Sequence, residues 1–154
     1  MFAPLFTAVR LPAASQLLLA AAAKAGARYF HVVVGLVFNK TGELLVAERQ
    51  AHKFQGGRFE FPGGKVEVNE LPFDALVREL HEEIGIDVLC AEPWGQFQHT
   101  YADRNIFLDV WRVTEFSGDA HGKEGQEVRW VSLQTLKTLS IPDANRDIVN
   151  RLCK

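Results

Sequence analysis

An almost unbroken run of apolar, largely β-branched side chains at residues 31–38 (HVVVGLVF) is the strongest constraint on the fold of this chain. Such a run is typical of a strand that is buried on both faces, because a half-exposed strand alternates apolar and polar side chains. A strand of this kind needs a layer of structure on each side. The run therefore predicts the centre of a layered fold.

The rest of the chain supplies the surrounding elements. Turn residues at 39–42 (NKTG) precede a returning strand at 43–49, and a short strand follows at 58–61. Further strands are predicted near 91–101, 105–114 and 127–132, and helices at 72–84, 133–139 and 143–152. The order β-β-β-α-β-β-β-α predicts an α/β (α+β) fold with a mixed sheet packed between helices.

The composition predicts one globular domain, since 47% of the 154 residues are hydrophobic. Cys90 and Cys153 show no CxxC spacing, which indicates neither a disulfide framework nor a zinc site and suits a reducing cytoplasm. Residues 1–28 are interpreted as an N-terminal leader or extra helix before a domain at 29–154. Their Ala/Leu-rich stretch at 11–23 is too short for a membrane span, which needs about 20 residues.

The charge distribution narrows the range of partners. A net charge of −2 argues against a surface that coats nucleic acid or an anionic membrane. Residues 1–42 contain no acid, so the remaining 112 residues hold 13 basic against 19 acidic side chains. An acidic domain either repels phosphates or recruits divalent cations to meet them. We expect a monomer with a small-molecule ligand and no nucleic-acid or membrane partner.

The helix predicted at 72–84 carries an apolar stripe beside an acidic cluster. Five apolar side chains recur at helical spacing and predict its core face: Phe73, Leu76, Val77, Leu80 and Ile84. Glu79, Glu82 and Glu83 crowd a neighbouring face, where their charges repel one another. Taken alone, such a cluster is usually a solvated face, although grouped carboxylates also suit Mg²⁺ or Mn²⁺.

A Gly-rich turn before this helix favours the metal interpretation, because Gly63 and Gly64 let the backbone approach a ligand or offer a carbonyl to a metal. The full pattern is Gly64-x5-Glu70-x7-Arg78-Glu79-Leu80-x-Glu82-Glu83-x-Gly85-Ile86. It resembles the Nudix box, the signature of hydrolases that act on a nucleoside diphosphate linked to another group.

The resemblance continues outside the box. Residues 49–145 are similar to the MutT type of 8-oxo-dGTP diphosphatase, on stretches 59–65 (FEFPGGK), 103–104 (DR), 122–126 (GKEGQ) and 142–145 (PDAN). This resemblance implies an α/β/α sandwich around a mixed sheet. It also implies hydrolysis of 8-oxo-dGTP and 8-oxo-GTP to the nucleoside monophosphate and pyrophosphate, which removes mutagenic nucleotides from the pool.

The resemblance implies roles for individual side chains. Mg²⁺, or Mn²⁺ in its place, would be held by Gly63, Glu79, Glu82, Glu83 and Glu124, and the catalytic set would be Glu79, Glu82 and Glu124. Which of these is the general base stays open, because a shared metal couples their titrations. Arg78 is expected to orient carboxylates by ion pairing. In isolation, Glu124 would be a solvated loop residue.

Substrate contacts are implied for a second set: Arg49, Glu60, Phe61, Pro62, Tyr101, Asp103, Arg104 and Asn145. The alternatives are a salt-bridged surface residue for Arg49 and ordinary core or rim aromatics for Phe61 and Tyr101. Phe54 departs from the family, which has a histidine at this position, and the departure concerns sugar or phosphate contacts.

Asn145 has a physical reason to recognise oxidised guanine. Oxidation at C8 puts a proton on N7, so the base edge offers a donor beside the O6 acceptor, and one carboxamide can pair with both. Unmodified guanine would leave one contact unpaired, which supports discrimination of about 10⁴. The alternative role of Asn145 is an N-cap of the last helix.

Other functions stay open. A Nudix enzyme acting on 5-substituted pyrimidine triphosphates, or on a broader range of nucleotides, would share the box but not the argument for Asn145. Dinucleoside polyphosphates are a further substrate class, because Tyr101 lies close to where a tyrosine marks the hydrolases of these compounds. A non-catalytic module that binds 8-oxoguanine in DNA is disfavoured, since such domains typically lose box carboxylates that this chain retains.

Overall fold

The computed structural model describes residues 28–154, so the leader predicted at 1–28 lies outside the described residues except for its last position. The elements are β1 (Arg28–Val37), β2 (Leu44–Glu48), β3 (Phe59–Glu60), β4 (Gly63–Lys65), α1 (Pro72–Ile84), β5 (Asp87–Thr100), β6 (Arg104–Ser117), β7 (Val128–Val131), α2 (Leu133–Leu136), a 3₁₀ turn (Asp143–Asn145) and α3 (Arg146–Leu152). No helix in this part of the chain is long and apolar enough to cross a membrane.

The strands form two sheets. The larger has the order β4-β1-β6-β5, in which β1 runs antiparallel to β4 and parallel to β6. The smaller has the order β3-β2-β7 and is antiparallel throughout. The predicted mixed sheet between helices is confirmed, and β2, β3 and β7 form a second sheet beside it.

Strand β1 is buried on both faces, as its apolar run predicts. Val33 and Val37 belong to a core cluster with α1, whereas Val34 and Leu36 belong to a second cluster that includes side chains of α2 and α3. Gly35 sits inside this run because an added Cβ would lie 2.9 Å from Leu80 Cδ2 of α1. Strand β1 therefore contributes side chains to both core clusters and lies between them.

Helix α1 begins and ends where the sequence indicates. Pro72 occupies its first turn, and Gly85 ends it with a φ of 69° while its N–H donates to the carbonyl of His81. Four side chains of the predicted stripe or beside it are fully buried: Ala75, Leu76, Leu80 and Ile84. The carboxylates of the box thus project from a helix whose neighbouring face is fixed in the core.

The structure differs from the sequence prediction at four places. Strand β4 follows where the short strand was expected to end, and β5 starts at Asp87 rather than near 91. Helix α2 ends at Leu136, and residues 143–145 form a 3₁₀ turn rather than the first turn of the last helix. Strand β4 was missed because glycine is unfavourable in strands, yet a Cβ on Gly63 would lie only 2.0 Å from Val33 O, so close pairing with β1 requires glycine here.

Candidate active site

A cavity of about 210 Å³ lies between β1, β4, β6 and the loops that precede β3 and α3. Seven of the predicted site residues line it: Arg49, Glu60, Phe61, Gly63, Tyr101, Arg104 and Asn145. They come from segments scattered along almost a hundred residues. Sequence reasoning missed Phe30, Gln55 and Lys65, which also line the cavity. Phe30 and Lys65 lie on strands facing the cavity, a placement that only the register of β1 and β4 reveals.

Asn145 is buried, with 7% of its surface exposed, and it ends the 3₁₀ turn before α3. Its side chain makes no capping hydrogen bond to α3. No hydrogen bond joins its carboxamide to another residue of 28–154, and its polar atoms are not fully buried, since Trp111 Nε1 is the fully buried side-chain polar atom without a partner in that range. The N-cap alternative therefore has no support in the geometry, and the carboxamide is available to a ligand in the cavity.

The turn that carries Asn145 is held by a tyrosine. Tyr101, which follows β5, accepts a hydrogen bond from the Ala144 N–H through its hydroxyl oxygen at 3.0 Å. Burial raises the pKa of Tyr101. Phe61 is 4% exposed and belongs to the core cluster, so it is both a core aromatic and part of the cavity wall.

Arg49 and Glu60 form an ion pair on the cavity wall. Arg49 Nη1 lies 3.1 Å and 3.2 Å from the two oxygens of Glu60. Burial raises the pKa of the Glu60 carboxyl, and the nearby charges of Arg49 and Lys53 act in the opposite direction. Arg49 therefore forms a salt bridge and also lines the cavity, so the two roles considered for it are compatible.

Arg104 lies at the rim of the cavity between aromatic rings. Its guanidinium carbon is 4.7 Å from the centre of the Phe54 ring and 5.9 Å from that of Phe30. Asp103 is exposed and pairs with Arg104 at 2.8 Å, and this pairing lowers the pKa of Asp103. Neither Asp103 nor Pro62 is part of the lining; the buried Pro62 accepts a hydrogen bond from Gly35 N–H at 2.8 Å.

The acidic cluster is organised by Arg78. Its guanidinium contacts Glu70 at 2.8 Å, Glu79 at 2.7 Å and Glu82 at 3.4 Å. The hydrogen bond from Arg78 lowers the pKa of Glu70 to about 2, whereas burial raises the pKa of Glu79. Arg78 therefore orients carboxylates by ion pairing, as expected.

Glu83 points from α1 towards the Gly-rich strand. The Gly63 N–H donates to Glu83 Oε2 at 3.0 Å. Burial raises the pKa of Glu83 to about 8; the hydrogen bond from Gly63 opposes this, and the negative charges of Glu60, Glu79 and Glu124 add to it. The ionised form of Glu83 would therefore be stabilised by a nearby cation.

Glu124 is brought to the cluster by a loop that caps the C-terminus of α1. The carbonyl of Glu83 accepts hydrogen bonds from Lys123 N at 3.1 Å and Gln126 Nε2 at 3.0 Å, and His121 N donates to the carbonyl of Ile84. These carbonyls have no partner within the helix, so the loop satisfies them. The side chain of Glu124 is exposed, and its charge acts on Glu83.

The donor chemistry of the cluster fits a hard divalent cation. Every candidate ligand is an oxygen, and a Cβ on Gly64 would lie 2.2 Å from the Glu79 carboxylate, so only glycine permits this approach. In residues 28–154 no three His, Cys, Asp or Glu side chains are arranged to hold an ion. In the structure Arg78 pairs with Glu79 and Glu82, and the Gly63 N–H donates to Glu83.

The model of the NUDIX domain family matches residues 33–151, which include most of the cavity lining, the acidic cluster and the loop of Glu124. This chain belongs to the Nudix family. Enzymes of this family act on small-molecule nucleotides and in general need a divalent metal ion, so the chain is a Nudix hydrolase of the nucleoside triphosphate pyrophosphohydrolase kind.

Individual Nudix proteins resemble the chain over most of its length. The 8-oxo-dGTP diphosphatase of Escherichia coli is 36% identical over 121 residues, which cover 79% of this chain and 94% of that protein. The CTP pyrophosphohydrolase of the same organism is 39% identical over 116 residues, 75% of this chain and 84% of that protein. A solved structure from a study of MutT of Aliivibrio salmonicida and Vibrio cholerae is 38% identical with a TM-score of 0.72, covering 82% and 98% of the two chains.

Proposed function

We propose that this Nudix hydrolase converts 8-oxo-dGTP, and 8-oxo-GTP, to the nucleoside monophosphate and pyrophosphate, and so keeps oxidised guanine out of newly made DNA. The observation that carries the proposal is that Asn145, which is 7% exposed, lines the cavity with a carboxamide that forms no hydrogen bond to another residue of 28–154. The similarity to curated 8-oxo-dGTP diphosphatases over four fifths of the chain supports it.

Recognition follows from the donors and acceptors of Asn145. The Asn145 oxygen accepts the N7–H that only the oxidised base carries, and its amide nitrogen donates to O6. Phe61 supplies an apolar wall, and Arg104 supplies a cation at the rim. With ordinary guanine, the N7 lone pair faces the Asn145 oxygen, or one of these two acceptors stays desolvated and unpaired. The free-energy cost of either arrangement weakens the binding of dGTP relative to 8-oxo-dGTP.

The phosphates extend from this cavity past Gly63 and Gly64 to the acidic cluster. The residues that would hold Mg²⁺ are Glu79, Glu82, Glu83, Glu124 and the Gly63 carbonyl, and the ion would supply charge neutralisation at the phosphates and at the attacking water. One carboxylate among Glu79, Glu82 and Glu124 would accept the proton that water loses as it attacks phosphorus. Arg78 keeps Glu79 oriented through their ion pair at 2.7 Å.

The proposal extends to the setting of the enzyme. It acts as a monomer in the cytoplasm, on free nucleotides rather than on nucleic acid or at a membrane. The cysteine usage supports this, because Cys90 and Cys153 are both free and Cys90 is exposed. The net charge of −2 also favours a free nucleotide as substrate over nucleic acid or an anionic membrane as partner.

A second candidate is a pyrimidine triphosphate pyrophosphohydrolase. It is favoured by the 39% identity to a CTP pyrophosphohydrolase, a value that matches those of the 8-oxo-dGTP diphosphatases. In such an enzyme the acidic cluster keeps its role, whereas Asn145 has no N7–H to recognise. The substrate assay that follows separates the two.

The test is hydrolysis of 8-oxo-dGTP, dGTP and 5-methyl-dCTP compared by kcat/KM in the presence of Mg²⁺. The wild type is expected to prefer 8-oxo-dGTP over dGTP by about 10³-fold or more. Asn145→Ala is expected to reduce that ratio by about 100-fold, mostly through KM for 8-oxo-dGTP, because it removes both base contacts.

The matched control is Asn150→Ala, an exposed asparagine on α3 five positions away. It is expected to leave the ratio unchanged. A preference for 5-methyl-dCTP, or equal rates on all three nucleotides, would contradict the oxidised-guanine proposal and leave the Nudix chemistry in place.

A further inference from the structure

The turn that carries Asn145 is tied to the loop before β3 by the side chain of Gln55. Gln55 Nε2 donates to Asp143 Oδ2 at 3.3 Å, and Gln55 Oε1 accepts from the Asp143 backbone N–H at 3.2 Å. Both ends of one carboxamide are therefore bound to one residue that lies 88 positions further along the chain. Asp143 is the first residue of the 3₁₀ turn that ends at Asn145.

The backbone of Gln55 adopts a conformation that side chains rarely take. Its φ is 55°, in the left-handed region where glycine is favoured. Glycines follow at 56 and 57, so the local sequence does not lack residues suited to such a turn. A rare conformation of this kind persists only where the surrounding structure holds it. We infer that the two hydrogen bonds to Asp143 stabilise this backbone conformation of Gln55. Glycine could not form them, which explains why the position is not glycine.

The charges around Asp143 leave one oxygen for Gln55. Arg146 Nε donates to Asp143 Oδ1 at 3.1 Å, and Arg58 Nη1 lies 3.7 Å from the same oxygen. Arg58 also donates to Gln55 Oε1 at 3.4 Å. Oδ2 of Asp143 is the atom that Gln55 binds. The result is a closed network in which the polar side chains beside Asn145 are paired.

Asn145 itself is the exception, because its carboxamide has no partner in the described chain. Two anchors fix the backbone on which it stands: Tyr101 at Ala144, and Gln55 at Asp143. A recognition group must be held within roughly 0.5 Å of its productive position, and here no hydrogen bond of the carboxamide to the described chain does so. The tether must therefore act through the backbone.

We propose that Gln55 is a positioning residue for base recognition: it locks the 3₁₀ turn so that the Asn145 carboxamide faces the substrate base with its oxygen and nitrogen in fixed places. This role rests on the proposed function. Because Gln55 acts on the base-binding turn and not on the acidic cluster, its loss lowers selectivity while turnover of an undamaged nucleotide persists.

Three variants test the role, each assayed by kcat/KM on 8-oxo-dGTP and dGTP. Gln55→Gly removes the side chain but suits the left-handed backbone, so folding is preserved. Gln55→Glu keeps the acceptor but sets a second carboxylate against Asp143. The double variant Gln55→Glu/Asp143→Asn restores a donor opposite the new carboxylate. His52→Ala, an exposed change in the same loop, is the matched control.

The 8-oxo-dGTP to dGTP selectivity ratio is expected to fall roughly fivefold to tenfold in Gln55→Gly, the effect of about one lost hydrogen bond. It is expected to fall further in Gln55→Glu and to recover in the double variant, whereas His52→Ala keeps it. The loss should reside in KM for 8-oxo-dGTP, with kcat on dGTP within about twofold of the wild-type value.

Amide hydrogen exchange gives a readout that needs no substrate. The Ala144 and Asn145 amides should exchange faster in Gln55→Gly than in the wild type, while amides of α1 are unchanged. Unaltered selectivity and exchange in Gln55→Gly would overturn the role of Gln55 alone. A wild type that shows no preference for 8-oxo-dGTP would instead overturn the proposed function, and this role with it.

Discussion

The acidic cluster and the base-binding cavity are the two ends of the site, and they are held by different means. At the acidic end, ionised groups do the organising: Arg78 binds three carboxylates of its own helix and the preceding loop, and Glu83 is held by one backbone N–H. At the base end, the backbone N–H groups of Asp143 and Ala144 donate to the uncharged side chains of Gln55 and Tyr101, and these bonds hold the turn that carries Asn145. The contrast teaches that chemistry and specificity can be altered separately in this molecule.

The largest expected effect is the loss of turnover when metal is removed, which separates the function of the acidic end from that of the base end. Excess EDTA is expected to abolish turnover of 8-oxo-dGTP, since the carboxylates then have no cation to share with the phosphates. Binding of 8-oxo-dGMP, measured by calorimetry in the same buffer, is expected to persist within about tenfold, because the base end recognises its ligand through neutral hydrogen bonds. Loss of both would show that the base end depends on the metal.

A second prediction concerns one carboxylate of the acidic end. Glu79→Gln is expected to reduce kcat by about 10³-fold, because it removes one charged ligand at the place where charge is stabilised during phosphoryl transfer. The selectivity for 8-oxo-dGTP over dGTP should stay within about threefold of wild type, since Asn145 is untouched.

The control for this change is Glu115→Gln, an exposed carboxylate on β6 away from the cluster. It is expected to leave kcat unchanged. Unaltered turnover in Glu79→Gln would remove Glu79 from the catalytic set, and a collapse of selectivity would show that the two ends are coupled.

The smallest expected effect is on stability and depends on pH. The pKa of Glu70 is lowered from 4.5 to about 2 by its hydrogen bond from Arg78, so the folded state favours the ionised form. A carboxyl with a lowered pKa stabilises the fold above its unfolded pKa, and this contribution is lost as the pH falls towards 2. We expect Glu70→Gln to lower the free energy of unfolding by about 1–2 kcal/mol at pH 7.

Urea unfolding at several pH values checks this prediction. The difference between wild type and Glu70→Gln should narrow as the pH falls from about 5 towards 2. A difference that stays constant over this range would mean that packing, rather than the Glu70–Arg78 pair, accounts for the effect.

Much of the acidic end could be predicted from the sequence because its parts are local. The spacing of Glu79, Glu82 and Glu83 on one helix, the glycines before it and the stop at Gly85 follow from helix geometry and backbone sterics. The burial of β1 on both faces follows from its apolar run in the same way. Helix caps and residue periodicity act over a few residues, so the sequence displays them directly.

The base end depended on contacts that no local pattern reveals. The sequence was compatible with two roles for Asn145, a helix cap or a base contact. Only the structure shows that its side chain forms no capping hydrogen bond. Gln55 was not identified from the sequence, because its partner Asp143 lies 88 residues away. Strand β4 was missed since two glycines indicate a loop unless a neighbouring strand leaves no room for a Cβ.

The sequence by itself determined the carboxylates, the helix that presents them and the central buried strand, since each follows from short-range spacing. Only the tertiary structure decided that the loop of Glu124 satisfies the last carbonyls of α1, which lets the charge of Glu124 act on Glu83, and that Gln55 and Tyr101 fix the turn of Asn145. The physical reason is that a hydrogen bond between distant segments is chosen by how the cores pack, and packing is a property of the whole chain.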